Sequence, residues 1–162
     1  MNELIIAILP EYVKGKGIYS RIYCEDGAYL DQRGPALFLK NLYYHHGKDK
    51  QRIDKHIKAN YQIHRNLPYV IDSNGVFFPF KYRKSDYDKE TRAFVNVKYV
   101  EKIENSEIVL ITGEKISTLA SEKALISSKN LAQSLMFEEM VRILREQNSS
   151  IRFLTATIKN TI

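Results

Sequence analysis

The sequence predicts an α+β fold: a mainly antiparallel sheet with an early short helix and a C-terminal helix packed on it. Three observations predict it. Short apolar or alternating runs, separated by Gly-containing turns, recur between residues 4 and 119. One helix-spaced run interrupts them after Gly34‑Pro35. From Ser121 the apolar period changes from two to about 3.6.

The first run, L‑I‑I‑A‑I‑L over 4–9, is short and wholly apolar, which predicts a strand covered on both faces and stopped by Pro10. Lys14‑Gly15‑Lys16‑Gly17 is a turn, residues 18–24 alternate, and Asp26‑Gly27 signals a hairpin returning through Ala28‑Tyr29‑Leu30. Gly34‑Pro35 then starts a helix, with Leu37, Phe38 and Leu42 at helical spacing to about Tyr44 and Gly47 as a left-handed cap. Ile53 and Ile57, four apart, allow a short surface helix with one apolar edge over 48–59. Tyr61, Ile63 and Arg65 alternate and hint at a strand.

The clearest hairpin is Y‑V‑I‑D, S‑N‑G, V‑F‑F‑P‑F over 69–80, where Asn‑Gly supplies the positive φ of a tight turn. Pro79 marks an edge or the end of a ladder. Residues 81–91 are polar and lack a period, as in an exposed loop. Residues 94–103 alternate as one strand, with Val95, Val97, Tyr99 and Ile103 on one face, and 107–119 form a last hairpin around Gly113. The late helix has Ser128 as N-cap and a stripe of Leu131, Leu135, Met136, Met140, Ile143 and Leu144 facing the sheet. Residues 147–150 break it, and a β-rich tail follows. The organisation is one domain over 1–147 and a tail over 148–162, without repeats or linkers.

Composition bounds the function. At 44% hydrophobic and 27% charged residues, the 162-residue chain can build a core. Its single cysteine, Cys24, allows no intrachain disulfide and no cysteine-built zinc site, and is read as a small core residue. No run reaches a membrane span, and 4–9 is too short for a signal-peptide core, so a cytoplasmic location is expected. The net charge of +6 is concentrated: residues 40–92 hold twelve basic and six acidic residues, and the rest of the chain holds thirteen of each. A polyanion would meet the protein there, by neutralising phosphates and releasing counterions.

Catalytic signals are thin. The chain has no Gly-rich phosphate loop, no H‑E‑x‑x‑H and no G‑x‑S‑x‑G. All four histidines, His45, His46, His56 and His64, fall in the basic stretch, but adjacent or loosely spaced histidines do not define a metal site. The expectation is a non-enzyme without metal or cofactor. A histidine- and metal-dependent nuclease and a basic protein-interaction module are the alternatives.

The motifs I‑A‑I‑L‑P‑E (6–11), K‑G‑K (14–16), L‑P‑Y‑V‑I‑D‑S‑N‑G‑V‑F‑F‑P (67–79) and F‑V‑N‑V‑K‑Y‑V (94–100) resemble the ComK family, competence transcription factors of Gram-positive bacteria. The most specific part is the spacing of Pro68, Asp72, Phe78 and Pro79, and the resemblance runs from about residue 5 to 145. It implies a sequence-specific activator of DNA-uptake genes that binds paired AT-rich boxes in double-stranded DNA, largely through the minor groove. It further implies homodimers that pair on one site. A-tracts suit such a protein, since their narrow minor groove attracts Arg and Lys. By position, the family's basic segment falls on Gly47, Lys48, Lys50, Arg52, Lys55 and Lys58, and its second basic loop on Lys81, Arg83 and Lys84; Arg65 would extend the footprint. Family members carry a C-terminal extension used in activation and recognised by a proteolytic adaptor. This chain departs from that pattern, since Ile151‑Arg152‑Phe153‑Leu154 matches the longer family extension only loosely; an adaptor is a partner implied by the resemblance alone.

Overall fold

The computed structural model describes residues 4–84 and 91–161. The chain is α+β. Its first sheet contains β1 (Ile5–Val13), β2 (Gly17–Cys24), β3 (Gly27–Asp31), β4 (Tyr69–Asp72), β5 (Gly75–Lys81) and β6 (Arg92–Asn96). These pair antiparallel in the order β3‑β2‑β1‑β6‑β5‑β4. A second antiparallel sheet is formed by β7 (Val100–Glu104), β8 (Glu107–Leu110) and β9 (Lys115–Ser117). The helices are α1 (Pro35–His45), α2 (Lys50–Tyr61) and α3 (Glu122–Thr161).

The large sheet separates two apolar clusters. On one face Ile5, Ile8, Ile22, Tyr69, Ile71, Phe77 and Phe94 pack against Phe38, Leu39 and Tyr43 of α1, with half-buried Cys24 at the margin. On the other face Ile6, Ala7, Val70, Phe78, Phe80 and Val95 meet α3 and the second sheet. Successive side chains of a strand leave opposite faces, so the unbroken apolar run of β1 supplies both clusters. Helix α2 is tied to both clusters. Its Ile57 is fully buried in the α3-side cluster, and Ile53 touches both clusters. The β4 edge is sealed by Tyr43, whose buried hydroxyl accepts the Val70 N–H at 2.6 Å. Burial pushes that phenol's pKa well above its usual value.

Several sequence expectations change. β1 does not stop at Pro10 but continues to Val13. Beyond Ile8 it is paired with β2 alone, where proline is tolerated. Pro79 does not end β5 either: it pairs with Phe94, and β5 continues to Lys81, but past Phe77 the strand is paired with β6 alone, where proline is tolerated. The 69–80 hairpin forms, but neither Asn74 nor Gly75 has positive φ. Asp72 Oδ1 instead accepts the Asn74 N–H at 2.8 Å, and a Cβ at Gly75 would lie 3.1 Å from the Phe77 ring. The paired positive φ of a tight hairpin turn occurs at Asn105 and Ser106, between β7 and β8.

The single strand expected over 94–103 is two strands in different sheets, joined by a 3-10 turn at Val97–Tyr99. Asn96 explains the break. Buried, it donates to the carbonyls of Ile5 (3.0 Å) and Asn74 (2.8 Å) and accepts the Lys98 N–H (3.1 Å), which caps the turn and sends the chain out of the sheet. No strand forms over 61–65: Tyr61 extends the Ile53–Ile57 stripe of α2, and Gln62 ends the helix with φ 58°. In the polar 81–91 loop, residues 85–90 lie outside the described residues.

The largest change is α3. It is capped by Ser121, not Ser128, with Ser121 Oγ accepting the Ala124 N–H at 3.2 Å. It runs unbroken through 147–150 to Thr161, so the expected β-rich tail is helical. Asn148, Ser149 and Ser150 are weak helix formers, but the segment has no Gly or Pro to end the helix. Leu125, Leu131, Ala132, Leu135 and Met136 are buried; Met140 and Leu144, expected against the sheet, are 38% and 63% exposed.

Candidate nucleic-acid interface

Helix α2 begins at Asp49, whose carboxylate accepts the N–H groups of Gln51 (3.0 Å) and Arg52 (3.4 Å). With Ile53, Ile57 and Tyr61 turned inward, helical geometry puts Lys50, Asp54 and Lys58 along the flank toward α1. Lys50 ion-pairs with Asp54, and its ammonium stands 5.5 Å from the centre of the Tyr69 ring. It lines a pocket of about 370 Å³ together with Lys40 of α1 and Arg92 of β6. Tyr69, Phe94 and Leu67 supply apolar walls, and Arg92 donates to Asn66 Oδ1. Three cations from three elements thus converge on one concavity whose lining, among the described residues, contains no carboxylate.

The surface extends from there. Lys81 is the cross-strand partner of Arg92. Partners directly opposite share a sheet face, and Phe77 and Phe94 show which face this is, the one covered by α1. Lys81, Arg92, Lys40 and Lys50 therefore stand on one side of the molecule. Lys55 and Lys58 line a shallow depression on α2 with Gln51, Asp54 and His64. Arg52 and Arg65 are exposed on α2 and the segment after it. Arg83 is half-buried and Lys84 exposed; the backbone N–H of Arg83 donates to Thr91 O at 3.2 Å.

Lys48 faces the other way. Its ammonium is 3.6 Å from Glu139 of α3, which also binds Arg142 at 2.9 Å. Burial opposes ionisation of Glu139, yet Arg142 and Lys48 outweigh it and hold the carboxyl below the usual carboxylate range. Beside this pair, Tyr61 donates to Glu138, and His56 Nε2 lies 3.0 Å from the same carboxylate. Burial and the Glu138 charge push the Tyr61 phenol up to about 12. His56 and Tyr61 fasten α2 to α3, and Lys48, just before the α2 cap, adds a third tie.

Of the nine expected binding residues, Lys50 and Lys81 are brought to the α1 side and Lys55 and Lys58 line open surface on α2; Lys48 pairs with Glu139 of α3, and Lys50 with Asp54. Lys40 and Arg92 were missed. Both count toward the charge excess of 40–92, but Lys40 looks like one solvated helix lysine. The strand register that brings Arg92 beside Lys81 is not written in local sequence.

The histidines are dispersed. His46 Nδ1 approaches Leu42 O at 2.9 Å, and His46 Nε2 lies 3.9 Å from Asp72, whereas His56 serves the α2–α3 clasp. Among the described residues no three His, Cys, Asp or Glu side chains gather as metal ligands. A cavity of about 780 Å³ lies between the two sheets; Ile6, Leu9, Cys24, Tyr82 and Tyr99 line it, and Tyr99 donates to Glu25 there at 2.7 Å. Among the described residues no helix is long and apolar enough to cross a membrane. No protein-family model, curated protein or solved structure matches the chain.

Proposed function

We propose that the protein is a ComK-like, DNA-binding transcriptional activator that works in the cytoplasm on AT-rich promoter DNA. The observation that carries this reading is the convergence of Lys40, Lys50 and Arg92 on one pocket without a described carboxylate, flanked by Lys55, Lys58 and Lys81. Phosphate is the natural occupant of such a concavity, and a duplex offers phosphates at regular intervals along the flanking cations. Base reading falls to arginine and lysine side chains entering a narrow A-tract minor groove. The degeneracy of that groove makes two AT-rich boxes, and hence two copies of the protein, the natural source of specificity.

The test is a mobility shift at graded salt on A-tract and scrambled duplexes of equal length. The wild-type protein binds the A-tract duplex more tightly, and replacing Lys40, Lys50 and Arg92 together by Gln weakens binding to both. The slope of log affinity against log salt flattens by about one unit for each phosphate that is no longer neutralised. Absence of any shift at low salt, or an unchanged slope in the triple variant, refutes the reading.

A further inference from the structure

The C-terminal half of α3 leaves the body of the protein with a long apolar face uncovered. Phe137, Met140, Leu144, Ile151, Leu154 and Ile158 are between 38% and 63% exposed. Their spacing is that of a coiled coil. Phe137, Leu144, Ile151 and Ile158 recur every seven residues, and Met140, Gln147, Leu154 and Thr161 fill the intervening positions at the same interval. Flanking this seam are Val141, Ile143, Asn148, Ser150, Thr155 and Thr157, all uncharged. Every charged residue from 137 to 161, namely Glu138, Glu139, Arg142, Arg145, Glu146, Arg152 and Lys159, lies off the seam and its flanks.

We infer that this half of α3 forms a two-stranded parallel coiled coil with the same segment of a second copy of the chain. Three features select a second copy. A two-fold interface needs a patch that tolerates itself, and a face without charge meets its own image with no repulsion. A strict seven-residue seam is satisfied by a helix with the same repeat, and β-branched Ile151 and Ile158 alternating with Leu154 favour two strands. The polar member, Gln147, meets Gln147 of the second copy in a parallel, in-register pair, where each amide finds a donor and an acceptor. The paired segment, residues 137–161, is about 37 Å long at ~1.5 Å per residue. Such a helix is marginal alone in water and stable when its apolar face is covered. The inference stands on the helix pattern and does not depend on DNA binding.

Sedimentation or light scattering of the full chain at tens of micromolar tests it. The expected mass is twice the 18.9 kDa of one chain. Leu144→Glu with Ile151→Glu should give the monomer mass, with the near-UV circular dichroism of the body unchanged because both side chains are exposed. Phe153→Glu, at an exposed position off the seam, should leave the dimer intact. For orientation, Gln147→Cys in a Cys24→Ser background should cross-link through a disulfide on mild oxidation, and Ser149→Cys should not. A wild-type monomer overturns the proposal, including one that instead pellets with phosphatidylcholine–phosphatidylserine vesicles. So does a dimer that survives the double Glu substitution. A dimer that fails to cross-link at 147 overturns the parallel arrangement.

Discussion

Lys48 and Lys50 stand two residues apart, on either side of the Asp49 cap of α2, and meet different partners. On the α3 flank, Lys48, His56 and Tyr61 are each held by a carboxylate of α3. On the α1 side, Lys50 pairs with Asp54 of its own helix and shares a pocket with Lys40 and Arg92, while Lys55 and Lys58 line open surface on α2. The residue types are nearly the same, and the difference is what stands opposite them. Carboxylates projecting from Glu138 and Glu139 turn one basic flank into a clasp. Among the described residues no such carboxylate lines the pocket of Lys40 and Arg92, although Asp54 pairs with its Lys50, and the proposed function puts the external anion there. Charge density along the sequence therefore locates a basic region, while α3 and, for Lys50, Asp54 one turn further on decide which of its cations are paired within the chain.

The severest challenge to this contrast removes what both flanks share. Ile57 is fully buried and anchors α2 in the apolar cluster on the α3 side of the sheet. Ile57→Ala should cost about 2–5 kcal/mol in stability through lost burial and the cavity left behind. Denaturant titration measures it, and DNA affinity should fall with it as α2 loosens. A loss below about 1 kcal/mol, well under the usual range for such a truncation, would mean that the helix is held by its ion pairs rather than by its apolar edge.

The second contrast sets the neighbouring lysines against each other. Lys50→Met should weaken duplex binding several-fold and flatten its salt dependence by about one unit, as for a single neutralised phosphate. Lys48→Met should leave that slope unchanged and instead reduce stability by about 1 kcal/mol or less, the range of a partly exposed ion pair. Mobility shifts and denaturant titrations on both variants check this. If the Lys48 variant loses as much salt slope as the Lys50 variant, the two flanks are not functionally distinct.

What the sequence made legible follows the range of the interactions involved. The hairpins, the α1 cap at Gly47 and the α2 stripe depend on neighbours a few residues away, and local pattern finds them. The break at Asn96 depends on carbonyls of Ile5 and Asn74, remote in sequence, so alternation across 94–103 looked like one strand. The length of α3 was hidden for another reason. Its weak helix formers at 148–150 suggested an end, while the seven-residue repeat that crosses them is set by the seam, not by propensity. The candidate site was half legible. Lys50, Lys55, Lys58 and Lys81 carry charge in the expected stretch, but the grouping with Lys40 and Arg92 needs three elements folded together.

The weakest effect concerns pH and falls on the clasp. Burial of Glu139 opposes its ionisation, but Arg142 and Lys48 outweigh burial and hold the carboxyl below the usual range in the folded protein. A depressed folded value means that the unfolded chain takes up the proton first as pH falls. The stabilisation is then complete above about pH 5, declines as pH drops through the ordinary carboxylate value near about 4, and vanishes below the folded value. Thermal midpoints of wild type and Glu139→Gln should therefore differ most near neutral pH and converge in acid. A gap that stays constant down to strongly acidic pH would show that Glu139 contributes by packing rather than by charge, and the clasp would then have to be reassigned to Glu138 with Tyr61 and His56.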